Sequence, residues 1–409
     1  MKISSLTNEQ KILLKLTARS LSDSPDFALT EDELRSANWE QIKEQSMAQA
    51  VALVAYNQAL NFKQYIPTRV LEDWNDYAMA NYGANFRIMQ EQNQVLSLIK
   101  DKYKYAIIKG LSAGQYYPNP TLRAQGDIDF LIEKEKLQEL KELFVSDGYK
   151  KLQEDHPNHV LLKKGFAQVE MHFEVTGIPH GEIGQKIRDF LSGVLDESHV
   201  VKHDMCEFNV PNQIHHALVL LLHMQHHMLV EGIGVRHLYD WGAFVKATID
   251  KSFWSELIAF LDEIGLLFYA KVITRTCTKY IGSPLPNWAI DADEHLCDQV
   301  IKDIIDGGNF GRNDKNRNNL DMFVPDRNKQ IKKQSKTKNL MHSLHKEVMK
   351  RYTFIKKIPI VYPFLFIYRA IRYSFLSLIG KRPSLIKTGK QANQRQKLYD
   401  KLCVFKKQN

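Results

Sequence analysis

The chain has 409 residues, 44% of them hydrophobic and 25% charged, which are ordinary values for a soluble globular protein of two or three folded units. Its net charge of +9 is unevenly distributed. From Arg327 onward the chain has 22 Lys and Arg residues but only two acidic residues, Glu347 and Asp400, which leaves a net charge of −11 on the preceding residues. An acidic body argues against a protein that coats nucleic acid, and four scattered cysteines favour a reducing cytosol over a disulfide framework or a cysteine-built zinc site.

Residues 1–100 predict a helical N-terminal region. Apolar residues recur at three- and four-residue spacings in "NEQKILLKLTARSL" and "EQSMAQAVALVAYNQALN", and the same period continues towards residue 100 as one long helix. The first twenty residues lack a long apolar segment and a small-residue cleavage site, so they predict the start of a helix and not a signal peptide.

Residues 101–205 predict a compact α+β core. Two short apolar runs, "YAIIKG" (105–110) and "GDIDFLI" (126–132), are typical of buried strands, and glycine ends the first. A charged amphipathic helix follows, and then "HVLLKK" and "FAQVEMHFEV" predict a hairpin around Gly165. We therefore expect the α+β class, with a small mixed-sheet core flanked by N- and C-terminal helical regions.

The remainder of the chain divides by composition. Residues 206–304 predict a helical domain, and residues 305–340 are rich in Asn, Asp, Lys and Gly, which predicts a polar linker. Residues 341–409 alternate basic clusters with an apolar stretch and predict a basic amphipathic tail.

Acidic residues within the predicted core strands indicate a metal site. Side chains alternate along a strand, so Asp127 and Asp129 point to one face, and their mutual repulsion favours a bound cation such as Mg²⁺. Glu170 lies between apolar neighbours in a second predicted strand, and three acids could hold two metal ions and align an oxygen against a phosphate. Glu174 is the alternative third acid, and a solvated strand face is the alternative for the aspartate pair.

The turn after the first strand predicts a phosphate contact. Gly110 lets the backbone approach an anion closely, and Ser112 adds a hydroxyl donor. A routine strand-to-helix turn is the alternative.

A glycine-serine turn, a pair of aspartates about one apolar residue and a third acid in an apolar strand together resemble the DNA polymerase beta-like nucleotidyltransferase superfamily. More closely, "IIKGLSAGQYYPNPTLRAQGDIDFLI", "VEMHFEV" and "GIGVRHLYDWGAFV" resemble a bacterial family of uncharacterised nucleotidyltransferases that is often seen in polysaccharide and natural-product clusters. The resemblance covers about residues 84 to 250. It implies a Mg²⁺-dependent nucleotidyltransferase that moves a nucleoside monophosphate from an NTP to a hydroxyl or phosphate acceptor.

By this resemblance Asp127, Asp129 and Glu170 are the catalytic acids and bind two Mg²⁺ ions, while Gly110 and Ser112 bracket the triphosphate. The chain departs from the usual pattern where Leu111 separates glycine from serine, and where the third acid is glutamate instead of the commoner aspartate. The alternative function is a catalytically silent nucleotide-binding or scaffold protein docked at the membrane surface.

Two basic residues flank the motif and are candidates for binding phosphate. Arg123, just before the acidic strand, could neutralise phosphate charge or form a salt bridge with Asp127. Lys109 either binds the departing phosphates or points to solvent.

Histidines and a helical ion pair complete the candidate site. His172 lies two residues after Glu170 in the same predicted strand, so the two side chains point to the same face. His172 either contacts the nucleotide or is a hydrogen-bonded strand residue. Arg236 and Asp240 are spaced to pair on one helix face, and the family resemblance implies that they help close the nucleotide cleft. His223 and His227 lack the glutamate of a zinc-protease helix and predict core packing.

The basic tail predicts a membrane surface as a partner. Its longest uncharged stretch, Ile358 to Tyr368, is far shorter than the roughly 20 residues that span a bilayer. Basic clusters and aromatic residues within 350–382 are typical of an interfacial helix on anionic lipid, and a helix packed on the acidic body is the alternative. We therefore expect a cytoplasmic protein, peripheral to the inner face of the membrane if the tail binds lipid. Its expected partners are an NTP and an acceptor that the sequence does not identify; nucleic acid is disfavoured.

Overall fold

The computed structural model describes residues 6–153, 156–203, 206–313, 345, 348–349, 352, 359–378 and 395–406. Helices occupy its N-terminal region, and side-chain caps fix where some of them begin: the Thr7 and Thr30 hydroxyls accept backbone N–H bonds from Gln10 and Glu33. The helices are α1 Asn8–Ala18, α2 Glu31–Ser36, α3 Trp39–Ala48, α4 Ala52–Ala59 and α5 Thr68–Ile99.

A five-stranded mixed sheet follows, and with it the predicted α+β class is confirmed. Its spatial order is β1-β2-β5-β4-β3, with β2 and β5 parallel and the other neighbours antiparallel. The predicted hairpin around Gly165 is present as β4 and β5. The strands are β1 Tyr105–Ile107, β2 Ile128–Ile132, β3 Lys150–Gln153, β4 His159–Lys163 and β5 Gln168–His172, with α6 Leu111–Gly114 and α7 Leu137–Ser146 between them.

One hydrophobic core holds the sheet and the end of α5 together. Buried α5 residues such as Val95 and Ile99 pack with Phe130 of β2 and Met171 of β5. Since β2 and β5 are neighbours in the interior of the sheet and anchor one face in this core, the polar side chains of their other face are held in fixed positions.

A second core is formed by the C-terminal helices together with the N-terminal ones. Trp241, Phe244 and Tyr269 are among its largest fully buried side chains. The later elements are α8 Glu182–Phe190, β6 His199–His203, β7 Cys206–Val210, α9 Gln213–Val230, α10 Val235–Thr248, α11 Trp254–Glu263, α12 Leu267–Ile281 and α13 Glu294–Gly307.

Two predicted domain boundaries need correction. The boundary between residues 205 and 206 falls within the β6–β7 hairpin, and Phe208 and Val210 pack in the sheet core, not in the helical domain. The predicted linker from 305 begins inside α13, because Ile305 and Asn309 are buried. Residues 314–340 of that prediction lie outside the described residues.

Two of the described parts of the predicted tail have different environments. Helix α14, Tyr362–Leu378, leaves Phe364, Ile367 and Ile371 more than half exposed. Residues 395–406 instead pack on the body, where Tyr399 and Leu402 are buried in the helical core. Within the described ranges, no helix combines the length and the apolar character needed to cross a membrane.

Candidate active site

The three predicted acids come together because of strand register. Asp129 on β2 lies directly opposite Glu170 on the parallel neighbour β5, and Asp127 immediately precedes β2. Their alternate neighbours Val169 and Met171 are buried in the sheet core. The alternation of side chains therefore puts the acids on the open face of the sheet.

Lys109 and His172 bind the two central acids. Lys109 Nζ lies 2.8 Å from Asp129 Oδ1 and 3.8 Å from Glu170 Oε2. His172 Nε2 lies 3.1 Å from each of the same two carboxylate oxygens, and its ring is fully buried. Lys109 thus points into the site and not to solvent, and His172 bridges two acids.

The pKa values of Asp127 and Asp129 are shifted in opposite directions. Burial alone would raise the pKa of Asp129, but the Lys109 ammonium and the His172 hydrogen bond hold it well below its ordinary range. Asp127 is exposed at the mouth of the site, where partial desolvation and then repulsion from Asp129 and Glu170 raise its pKa to about 6. A carboxylate in this state gains from a cation placed beside it.

The acids line a cleft of about 360 Å³ between the sheet and helices α9 and α10. Charged and imidazole side chains dominate its walls: Lys109, Arg123, Asp127, Asp129, His156, His159, Glu170, His223, His226, His227, Glu231, Arg236, His237 and Asp240. A larger cavity of about 630 Å³ lies between α1 and helices α12 and α13. There Glu33 pairs with Lys15 and Asp298 pairs with Lys279.

The glycine turn has the predicted backbone but not the predicted hydroxyl. Gly110 has φ +61°, which only glycine adopts without strain. Ser112 is buried and its Oγ lies 3.2 Å from His216 Nε2, away from the cleft, which corrects the prediction of a phosphate contact through this hydroxyl. Leu111 is the cause, because one extra helical residue rotates the serine by about 100°.

Arg123 forms a buried bidentate ion pair with Asp240, not with Asp127. Arg123 Nε and Nη2 lie 2.9 Å from the two Asp240 oxygens, and Tyr117 donates a third hydrogen bond at 2.7 Å. This pair joins the segment before β2 to α10. Asp240 is therefore paired with Arg123 from a distant segment, and not with Arg236, which lies one helical turn away.

Arg236 is left with weak contacts inside the cleft. Its Nη1 donates to the Ala124 carbonyl at 3.4 Å, and Nε finds no hydrogen-bond partner within the described part of the chain. Burial and the nearby Arg123 guanidinium lower the pKa of Arg236. A guanidinium so placed is suited to an anion that enters the cleft.

A sequence model of the family described as "Uncharacterised nucleotidyltransferase" matches residues 35–282, well over half of the chain. The chain belongs to this family. The predicted family is thus confirmed over a wider range than residues 84–250, and membership supports nucleotidyl transfer as the class of activity. No curated protein gives a significant match to the chain.

The family match includes α9, whose histidines the sequence had led us to expect in the core. His223, His226 and His227 are instead only partly buried and line the cleft opposite the acids. Burial lowers the pKa of His226 to about 4 and also holds the pKa of His223 well below its ordinary value, so both imidazoles are neutral at pH 7.

Sequence reasoning missed other lining residues. His159 faces His172 across the β4–β5 hairpin, and Phe310 closes the cleft from the segment after α13. The signal for His159 was available: counting back from the turn at Gly165 pairs residue 163 with 168 and residue 159 with 172.

Glu174, the alternative third acid, lies outside the cleft. Its carboxylate binds the side chains of Asn158 and Arg188 and lines a separate cavity below the sheet. Glu170 is the acid that the fold places beside Asp129.

Proposed function

We propose that this chain is a Mg²⁺-dependent nucleotidyltransferase that transfers a nucleoside monophosphate from an NTP to a hydroxyl or phosphate acceptor. Surface polysaccharide or natural-product biosynthesis is the setting that we favour. The observation that carries the proposal is the shared register of Asp129 and Glu170 on parallel strands, with Asp127 at the mouth of the same cleft.

The donor atoms fit magnesium. Asp127, Asp129 and Glu170 offer carboxylate oxygens, which Mg²⁺ prefers. Desolvation first, and then repulsion from the other two acids, raises the pKa of Asp127, and a cation beside the three carboxylates would relieve that repulsion. Bound there, Mg²⁺ would neutralise charge on the substrate phosphates.

Cations of the chain itself can hold the triphosphate. Among the residues that the structure describes, Arg236 Nε has no hydrogen-bond partner in the cleft, and Lys109 stands next to the backbone of Gly110 at the turn. Both are within the cleft that holds the acids, so they suit the phosphates that leave as pyrophosphate.

The transfer itself is a single displacement. The acceptor oxygen forms a bond to the α-phosphorus, the bond from that phosphorus to the bridging oxygen breaks, and pyrophosphate leaves with the electron pair. The proton of the acceptor passes to the Glu170 carboxylate, which lies on the open face of the sheet beside Asp129.

The opposite wall favours a hydroxyl acceptor over a phosphate one. His223 and His226 are neutral imidazoles, because burial lowers the pKa of each. Neutral imidazoles exchange hydrogen bonds with hydroxyl groups without adding the positive charge that a phosphate would require.

The test is pyrophosphate release from each NTP in the presence of magnesium and candidate acceptors. We expect Asp127→Asn and Asp129→Asn to reduce release by at least about a hundredfold, as removal of a group that stabilises transition-state charge does elsewhere. Glu174→Gln is the matched control, an acid four residues beyond Glu170 that lies outside the cleft. Full activity in the aspartate variants would overturn the proposal, and nucleotide binding without turnover in the parent chain would favour the silent scaffold protein.

We also propose that α14 docks on an anionic membrane surface. Phe364, Ile367 and Ile371 are 56–72% exposed, and their spacing of three and four residues aligns them on one face of α14. Ile360, in the turn just before the helix, is 77% exposed. Lysine and arginine residues flank this segment within 350–382, which complements anionic lipid.

A further inference from the structure

Two histidines stand beside the third acid and are not among the proposed magnesium ligands, although His172 also lies 3.1 Å from Asp129 Oδ1. His159 on β4 lies directly opposite His172 on β5, and Glu170 precedes His172 by two residues on the same face. His172 Nε2 lies 3.1 Å from Glu170 Oε2, and His159 Nδ1 lies 4.0 Å from the same oxygen. One ligand atom from each of the three residues lies within 4.8 Å of the others.

The three side chains are held in place by the sheet and not by a loop. Both strands belong to one antiparallel hairpin at the centre of the sheet, and the side chains of His159, Glu170 and His172 are 12%, 20% and 0% exposed. Because the sheet already fixes these side chains, little conformational entropy is lost when a ligand binds to them.

His159 Nδ1 points towards this group without a hydrogen-bond partner among the residues that the structure describes. Its ring is stacked on His156 with centroids 3.8 Å apart, which limits its rotation. A buried imidazole nitrogen without a partner is uncommon and indicates a ligand or an ordered water at that position.

The donor set differs in kind from the one that magnesium prefers. Mg²⁺ takes oxygen ligands, whereas two imidazoles and one carboxylate are typical of zinc and other first-row transition metals. We propose that His159, Glu170 and His172 bind a transition-metal dication such as Zn²⁺ or Mn²⁺, with Glu170 shared between this metal and the proposed magnesium site at Asp127 and Asp129. Metal binding at this group does not depend on the proposed function, but its use in nucleotidyl transfer does.

The experiment is titration of the full-length protein with Co²⁺ and Zn²⁺ in excess Mg²⁺ and without nucleotide. Visible absorption reports nitrogen ligation of Co²⁺, and calorimetry reports Zn²⁺ affinity. We expect one equivalent of each metal to bind, and His159→Gln or His172→Gln to weaken binding by at least about tenfold. His156→Gln is the matched control, because His156 is stacked on His159 but is not part of the ligand group.

The outcomes separate this inference from the proposed function. Asp127→Asn should keep the zinc site and lose nucleotidyl transfer. Absence of Co²⁺ or Zn²⁺ binding in the parent chain would overturn the inference, as would equal affinities in the parent and His159→Gln. Either result leaves a magnesium-dependent transfer at Asp127 and Asp129 intact. If His172→Gln fails to fold, His159→Gln and His159→Asn decide the question alone, since that ring lies at the edge of the cleft.

Discussion

Lys109 Nζ lies 2.8 Å from Asp129 Oδ1, so the chain provides its own cation at the point where a bound metal would be most attracted. The same ammonium lies 3.8 Å from Glu170 Oε2. If these acids bind a metal as proposed, Lys109 repels the arriving dication until its side chain turns towards phosphate. We therefore expect Lys109 to couple metal binding to nucleotide binding.

Lys109→Met should tighten metal binding and impair turnover. Removal of one positive charge about 4 Å from the site strengthens the attraction for a dication by at least about tenfold, and the KM for NTP should rise as a phosphate contact is lost. Calorimetry with Mn²⁺ and a pyrophosphate assay measure the two effects. Lys104→Met, at an exposed lysine near the start of β1, is the control. Weaker Mn²⁺ binding in Lys109→Met would contradict the competition.

The Arg123–Asp240 pair should be a stability element. Arg123→Met leaves the Asp240 carboxylate buried without its partner, and such changes cost about 3–5 kcal/mol. The double variant R123M/D240L should recover most of that loss, because an apolar pair of similar volume removes the buried charge altogether. Urea unfolding measures both. If the double variant is no more stable than R123M, the ion pair is not the source of the loss.

Gly110→Ala should destabilise the turn before α6. At φ +61° an alanine costs about 1–3 kcal/mol of backbone strain, and its Cβ would lie 3.3 Å from Gln125 Oε1. Gly126→Ala is the control in the same segment, because the space around Gly126 is open and its φ is not positive. The midpoint of urea unfolding should fall in the first variant only. Equal midpoints for Gly110→Ala and Gly126→Ala would show that the turn adopts another backbone conformation without loss of stability.

Stability should fall as the pH drops below about 6.5, and His216 is one cause. Burial lowers its folded-state pKa from 6.5 to about 3, between the hydroxyls of Ser112 and Tyr116. The folded imidazole stays neutral while the unfolded one takes up a proton, so stability present above pH 6.5 is lost at up to about 1.4 kcal/mol per pH unit on acidification. In His216→Gln that contribution is absent. The stability difference between parent and variant should therefore shrink from pH 7 to pH 5, and a constant difference would contradict this assignment.

Binding of α14 to lipid should depend on its apolar stripe. Phe364→Ser combined with Ile371→Ser should greatly reduce co-sedimentation with vesicles that contain anionic lipid, with little binding of the parent chain to neutral vesicles. Val200→Ser, at an exposed valine of β6, is the control. Deletion of residues 341–409 would be a poor test, because residues 395–406 complete the helical core. Equal sedimentation of parent and double variant would remove the membrane proposal.

The local parts of this site could be predicted from the sequence. Alternation along a strand is a property of the backbone, so the sequence alone predicts that Asp127 and Asp129 share one face and that Glu170 points away from its apolar neighbours. The hairpin around Gly165 followed from a glycine between two apolar runs.

The rest depends on contacts between distant segments. The pairing of Arg123 with Asp240 joins residues 117 positions apart, and no pattern near either one indicates it. The rotation of Ser112 away from the cleft follows from Leu111, whose side chain is buried in the sheet core. Equally, the long apolar run of α9 predicted a core helix, although its histidines form a cleft wall that exists only once the sheet is packed against it.

The packing of residues 395–406 has a consequence for biosynthesis of the protein. Tyr399 and Arg395 both donate hydrogen bonds to the carbonyl of Met228, and the backbone of Lys406 bonds to Gly265. The core formed by the N- and C-terminal helices is therefore completed only after the ribosome has translated more than a hundred residues beyond α12. A nascent chain that lacks residues 395–406 leaves exposed the apolar surface that Tyr399 and Leu402 cover in the helical core.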